Sequence, residues 1–533
     1  MDRKVFVIGL DGATFNVIEP LVKAGKLPNI SRMMKQGTYA LLKSTIPPLT
    51  PVAWPSLFTG KLSGKHGIFD FSLPTKKFDE KKRQLEKKRA NSSFIKSKAL
   101  WELLSEQGKK CIVVDVPMTY PPNKINGIMI SRVMATNKTR VTYPKGLYFN
   151  LIRKRLLFSR DKGPDPLKEH QKLDEKEKMR RTRRINFGRL LKDIDRKVEL
   201  ISHLNSNYAW DFFMAVFMES DQVGHGFWKE RKKVELVYKR LDKAIGRIFS
   251  FLPQDSLKVI VSDHGFKDIK GQFFLNEWFS RRGYASRSFE PDKKSVKLLE
   301  KLHRFKEDFH KKPAQPKAKF RFEQTVDTAK SLAYLYSGTS YGIRINLKGR
   351  DPKGLVKEQD YPGLRDKLIK ELKGIKAPGN SRALFEEVLK KEEVIGSTDD
   401  DYGACDIYFL PKDMDFVVSG FERTGKVLKL KRSGFHRREG VFFACGSDFK
   451  KGFNAGELSI IDVTPTIMHI MNLAVPQDMD GKVRKETFSV DSDIYDREAR
   501  LGKESRKQAE GKRLSDKEET KLKARLRALG YIE

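Results

Sequence analysis

Cysteine is nearly absent: Cys111, Cys405 and Cys445 are the only three in 533 residues. Three such scattered thiols make neither a disulfide framework nor a C-x-x-C zinc motif, so a reducing, cytoplasmic setting is expected. Long apolar runs are missing too. No stretch approaches the about 18 uncharged residues that a bilayer-spanning helix needs. The first strand-like run, "KVFVIGL", meets Asp11 too early for a signal peptide. Histidine is scarce, with nine in the chain, so a histidine at the end of a strand stands out. Acidic residues are outnumbered, 69 against 107 Lys and Arg, which leaves a formal net charge of +38. Such a surface is either simply solvated or attracts polyanions: nucleic acid, an anionic membrane surface or a phosphorylated substrate.

What the chain does have is the composition of a globular protein, with 39% hydrophobic residues, 35 Phe and 15 Tyr. Short runs rich in Val, Ile and Phe recur: "KVFVIGLDG", "KKCIVVDVP", "YAWDFFMAVFMESD", "SLKVIVSDHGF", "YGIRINLKG", "CDIYFLP" and "GVFFACG". Between them lie helical patterns such as "SKALWELLSEQGKK" and "VYKRLDKAIGRIFSFL". Continuous apolar strands alternating with helices predict an α/β fold whose central sheet is mostly parallel and buried on both faces. One catalytic domain is expected over 1–490, with basic insertions near 74–98, 140–195 and 285–325 and a basic helical tail over 491–533. The stretch 76–89 reads as an exposed loop or short helix. The insertion that begins near 285 reads as a helix followed by a Pro-punctuated excursion, and the final "LKARLRALGYI" as an amphipathic helix docked on the body. Strands after residue 325 are expected to complete the same sheet.

Three of the strand-like runs end alike. The first ends in Asp11-Gly12, the fourth is followed at once by Asp263-His264, and "DFFMAVFMESD" ends in Asp221 with His225 four residues on. An Asp-Gly after a strand is by itself usually a turn, and D-x-x-x-H is common. Ligands of open parallel sheets, however, bind beyond the carboxyl ends of the strands, so all five groups would meet there. Mixed carboxylates and imidazoles suit Zn²⁺, or else Mn²⁺ or Fe²⁺; Mg²⁺ and Ca²⁺ prefer oxygen alone. Five donors exceed one tetrahedral site with an open position. Two divalent ions, roughly 4 Å apart as in phosphoryl-transfer clamps, are the economical expectation.

In order along the chain come "VIGLDG", "PNISRMMKQG", "STIPPLTPVAWPSLFTGKLSGKHGIFDF", "ESDQVGHGFW", "VIVSDHGF", "GFHRREGVFFACG" and "IIDVTPTIMHIMNLAVPQDMDGK". With these segments the chain resembles the alkaline phosphatase superfamily, most closely its type I phosphodiesterase/nucleotide pyrophosphatase branch. The resemblance implies an alkaline-phosphatase-like three-layer fold, with the central sheet flanked by helices. It also implies one metal held by Asp221, His225 and His436 and a second by Asp11, Thr50, Asp263 and His264. Thr50 would be the nucleophile, passing through a phosphothreonine intermediate on a small-molecule phosphoester. Taken alone, His436 looks like a surface histidine among basic residues.

The match has departures. Relatives commonly carry Asn three residues after the nucleophile, where this chain has Ala53, and Thr50-Pro51-Val52-Ala53-Trp54 lacks the sulfatase pattern. His66 and His469 are expected to be structural. The rivals are a phosphomonoesterase or phosphomutase of the same superfamily, and a basic nucleic-acid- or membrane-surface-binding protein with a vestigial core.

Overall fold

The computed structural model describes residues 3–522, apart from 138, 158–174, 292–321, 339–340, 378–381, 398–400, 422–425, 510, 512–514, 516–517 and 521. Its centre is a nine-stranded sheet. From one edge to the other the strands are Phe453–Ser459, Gly37–Lys43, Glu439–Cys445, Leu257–Val261, Val5–Leu10, Phe212–Phe217, Cys111–Val114, Gly127–Ile130 and Thr142–Tyr143. Val5–Leu10 lies parallel to both of its neighbours, as does Cys111–Val114. Glu439–Cys445 runs antiparallel to the strands on either side, and Thr142–Tyr143 closes the far edge antiparallel.

The first strand shows why its residues read as a continuous apolar run. Successive side chains point to opposite faces, so Val5 and Val7 enter one core while Phe6, Ile8 and Leu10 enter the other. The first core is roofed by helices Thr50–Thr59, Leu100–Glu106 and Val463–Ile470. The second is roofed by Phe15–Lys23, Pro28–Gln36, Arg231–Phe251 and the later turns of Glu175–Asn207. Two helical layers around a mostly parallel sheet make the alkaline-phosphatase-like three-layer fold.

Not every strand joins this sheet. "YGIRINLKG" and "CDIYFLP" supply Gly342–Ile345 and Ile407–Pro411, which sit in a separate antiparallel sheet with Ala333–Leu335 and Phe385–Lys390. That sheet has its own core under helix Tyr361–Lys373, formed around Ile343, Ile345, Phe409 and Leu368. Arg344 supplies the physical reason. Its guanidinium is buried and donates to Asp351 at 2.6 and 2.9 Å and to the carbonyls of Tyr402 and Ala404. A strand of the central sheet, covered by apolar layers on both faces, could not partner such a charge. Of the strands expected after residue 325, only "GVFFACG" reaches the central sheet, where Phe453–Ser459 accompanies it.

The basic stretch 76–89 is neither loop nor helix but most of a hairpin, Ser72–Asp79 against Gln84–Arg89. Leu73 and Leu85 face inward, and Lys87 donates to the Tyr336 carbonyl at 2.5 Å with its ammonium 3.8 Å from the Tyr336 ring centroid. Of the charges that suggested a solvated loop, Lys76, Lys77, Lys81 and Lys82 are exposed, whereas Lys87 shares the inner face with Leu85. Residues 286–291 and 322–327 pair antiparallel at the base of the third insertion, and its expected helix and excursion lie outside the described residues. The described part of the tail lies across the body as a strap, with Leu501–Gly502 beside Val475–Pro476 and Arg506 beside Ser97. Most of "LKARLRALGYI" lies outside the described residues.

Candidate metal centre

All seven residues singled out from the sequence meet at the carboxyl edge of the central sheet. Asp11 follows Leu10 directly, and its neighbour Gly12 turns the chain at a φ of +68°. A Cβ on Gly12 would stand 3.0 Å from the Asp221 Cβ, so only glycine admits this approach. Helix Glu219–Phe227 begins just beyond Phe212–Phe217, and a spacing of four sets Asp221 and His225 on one helical face. Asp263 and His264 occupy the break between Leu257–Val261 and the next strand, Gly265–Phe274.

His436 arrives by a different route. Gly265–Phe274 pairs antiparallel with Leu428–Arg437, in a register that sets Phe266 opposite His436. The late histidine is thereby brought onto His264, and the two rings stack with centroids 3.7 Å apart. Thr50 is the first residue of helix Thr50–Thr59, whose N-cap, Leu49, offers no side-chain cap. Its hydroxyl lies 3.3 Å from His264 Nε2.

The donor atoms are oriented by the groups behind them. His436 Nδ1 donates to the Pro48 carbonyl at 3.0 Å, and His264 Nδ1 to the Gly265 carbonyl at 3.1 Å. In the neutral rings both Nε2 atoms therefore carry lone pairs directed into the site, the arrangement that metal-bound histidines adopt. Trp54 Nε1 donates to Asp11 Oδ2 at 2.8 Å, and the Gly12 amide donates to Asp263 Oδ1 at 3.1 Å. The opposite oxygens, Asp11 Oδ1 and Asp263 Oδ2, together with both oxygens of Asp221, are buried without a hydrogen-bond partner among the described residues. Orphaned buried carboxylate oxygens are costly unless a cation takes them up.

Two groups of donors lie within 4.8 Å of one another: Asp221, His225 and His436, and Asp11, Asp221 and His264. In the first, His225 and His436 bring their Nε2 atoms to 2.8 Å from each other, each 3.3 Å from Asp221 Oδ1. In the second, His264 Nε2 is 3.8 Å from Asp11 Oδ1, and 3.4 Å from Asp263 Oδ2 beside it. Asp221 thus belongs to both groups, whereas the resemblance assigned it to the first alone.

The electrostatics agree with this geometry. Burial, then the Asp263 and Asp221 carboxylates, push Asp11 well above the usual carboxylate range. Burial and Asp221 do the same to Asp263, while burial holds His264 and His436 below the usual imidazole range. Crowded, desolvated carboxylates that resist sharing negative charge, beside His264 and His436 held from protonation, are the setting that a divalent cation would relieve.

His66 and His469 are held by structural hydrogen bonds away from this cluster. His66 accepts from the Ile68 amide at Nδ1 and meets Ser56 Oγ at 2.9 Å, and burial pushes it down to about 3. His469 Nε2 donates to the Ile494 carbonyl. Sequence reasoning missed Trp54, which reads as an ordinary core aromatic although its indole N–H holds Asp11. It also missed the Ser220 hydroxyl, which donates to the Asp11 carbonyl at 2.7 Å.

Residues 5–440 match the model of the type I phosphodiesterase / nucleotide pyrophosphatase family. The chain belongs to that family. No curated protein matches its sequence. Among solved structures, murine ectonucleotide pyrophosphatase / phosphodiesterase 5 is similar with a TM-score of 0.52 and 14% identity, covering 91% of this chain and 100% of its own. Phosphonoacetate hydrolase from Sinorhizobium meliloti 1021, in complex with phosphonoformate, is similar with a TM-score of 0.54 and 13% identity, covering 87% of this chain and 94% of its own. At such identities the likeness concerns the fold. By family this alkaline phosphatase superfamily member is a phosphoric ester hydrolase, and the family is metal-dependent.

Proposed function

We propose that this phosphodiesterase family member cleaves small-molecule phosphoesters by transfer to Thr50, at a site for two divalent cations. The observation that carries the proposal is the Thr50 hydroxyl, 3.3 Å from His264 Nε2 at a helix N-terminus, beside carboxylate oxygens that lack donors. Asp221, His225 and His436 would hold one ion, and Asp11, Asp263 and His264, with Thr50 beside them, the other. Asp221, which belongs to both donor groups, would be shared between them. The carboxylate–imidazole donor set suits Zn²⁺, with Mn²⁺ second. When bound, such cations lower the proton affinity of a neighbouring hydroxyl and offset negative charge on phosphoryl and leaving-group oxygens.

The chain's own groups supply the rest. Trp54 and Gly12 hold Asp11 and Asp263 so that one oxygen of each faces inward. The helix N-terminus favours the anionic phosphoryl group next to Thr50. Thr50 Oγ1 gives up its proton and bonds to phosphorus as the ester oxygen leaves with its electron pair. Water then attacks the phosphothreonine, releasing phosphate or its monoester and restoring the hydroxyl. Ala53 has no side-chain amide to offer the phosphoryl oxygens, and its backbone N–H is taken by the Leu49 carbonyl. The unpartnered buried carboxylates weigh against a vestigial core, because a bound cation would offset the cost of burying them.

The test is Thr50→Ala. Hydrolysis of bis-p-nitrophenyl phosphate should fall by at least about a thousandfold, while metal content measured by elemental analysis stays at the wild-type level. Near-normal turnover by that variant would remove Thr50 from the mechanism. A parallel series with p-nitrophenyl phosphate and a nucleotide ester separates diesterase from monoesterase action.

A further inference from the structure

Residues 116–157 contain eight Lys and Arg and no Asp or Glu. Within this stretch helix Leu147–Arg153 follows Thr142–Tyr143, the strand at the far edge of the central sheet from Phe453–Ser459. Leu147 and Leu151 are buried in the core and anchor the helix. Its other side displays Phe149, 75% exposed, and Ile152, 39% exposed. Among the described residues Phe149 is the one aromatic side chain that stands among the exposed large hydrophobics. Tyr148 braces it edge-on, with ring centroids 5.4 Å apart. A firmly seated helix therefore holds an aromatic ring out in water, where it gains nothing by folding.

The charged residues that flank the ring along the helix have one sign. Lys145, Arg153, Lys154 and Arg155 are all exposed, and among the described residues none of them carries an ion pair. Charge alone would suit any polyanion. A protruding Phe and Ile ringed by Lys and Arg match an anionic bilayer more closely, since the apolar groups enter the headgroup boundary while the cations meet lipid phosphates and carboxylates. Nucleic-acid phosphates would leave both apolar side chains in water.

We propose that helix Leu147–Arg153 and its basic flanks form a docking surface for anionic phospholipid membranes, with Phe149 and Ile152 inserted and Lys145, Arg153, Lys154 and Arg155 over the headgroups. Three strands of the central sheet stand between Val5–Leu10, which leads into the candidate site, and Thr142–Tyr143, which leads into this helix, so turnover of soluble substrate is expected to be independent of the surface.

The experiment is co-sedimentation of the full chain with phosphatidylcholine vesicles with and without phosphatidylserine, at low and high salt. The wild type should pellet with the phosphatidylserine vesicles only, and less at high salt. Phe149→Ser combined with Ile152→Ser should weaken that partition roughly 10- to 100-fold, with hydrolysis of bis-p-nitrophenyl phosphate unchanged. Lys154→Glu combined with Arg155→Glu, which keeps both apolar groups, should also release the protein, and it carries the test if the first variant proves unstable. Failure of the wild type to bind phosphatidylserine vesicles overturns the proposal. So does vesicle binding that survives the loss of Phe149 and Ile152. An RNA duplex held equally by the wild type and the Ser variant, and displacing the vesicles, would instead assign the surface to nucleic acid.

Discussion

Trp54 is the residue whose part in the site is easiest to overlook. It is wholly buried, packs among apolar neighbours, and uses its single polar atom on Asp11. Its ring is accommodated because Gly9 has no side chain; a Cβ there would come within 2.5 Å of the indole. With Oδ2 engaged by the indole, Asp11 keeps Oδ1 unpartnered, the oxygen that would meet a cation. Trp54→Phe keeps most of the volume and deletes the donor. The expected result is an about 10- to 100-fold weaker metal affinity, read by competition with a chromophoric chelator, while the melting temperature of the metal-free protein changes little. Asp221 allows a sharper test, because it belongs to both donor groups. Asp221→Asn should abolish binding of both ions, whereas His225→Ala should leave one. Elemental analysis that found two ions in both variants would contradict the two-site assignment.

Among the elements, helix Thr50–Thr59 couples Thr50 to the neighbouring turn. Ser56, in its second turn, meets His66, whose other nitrogen accepts from the Ile68 amide. Burial, then the charge of Lys61, lowers His66 from its ordinary 6.5 to about 3. The folded protein therefore binds fewer protons here than the unfolded chain between those values. The associated stability is fully present above pH 6.5 and is lost as pH falls towards 3. Denaturant unfolding of the wild type at pH 7 and pH 4.5 should show that loss, and His66→Gln should lessen it by a few kcal/mol. An unchanged pH dependence in the variant would mean that His66 is not the group responsible. The two basic hairpin strands, Ser72–Asp79 and Gln84–Arg89, show how local composition misleads: Leu73 and Leu85 are buried, and Lys87, on the same face as Leu85, is taken up by the Tyr336 carbonyl and ring.

On the scale of the whole molecule, the candidate site ties together segments from Asp11 to His436. A cation that binds only the folded chain stabilises it by mass action, by about 2.7 kcal/mol for each site at a ligand concentration a hundred times Kd. Stripping with a chelator should therefore lower the melting temperature by a few degrees, and adding Zn²⁺ back should restore it. Calorimetric scans of the wild type and Asp221→Asn check this, and the variant should ignore both treatments.

Much of this was legible without coordinates. Asp11, Asp221, His225, Asp263 and His264 all stand where an apolar run stops, and a parallel sheet collects such ends along one edge because its strands share one direction. Periodicity likewise announced the α/β layers, since a strand covered on both faces must be apolar throughout. The partners of the late strands were hidden. Gly342–Ile345 and Ile407–Pro411 look like further central strands until their antiparallel pairing and the buried Arg344 are seen. Trp54 was hidden for the same reason, and His436 was legible only through the family resemblance, not from local pattern. The chain by itself determined which groups end its parallel strands, because that follows from local pattern. Only the tertiary structure decided that Gly265–Phe274 pairs with Leu428–Arg437 and stacks His436 on His264, that an indole holds Asp11, and that Asp221 stands between two donor groups. Those contacts join residues far apart in sequence, and no local periodicity encodes their register.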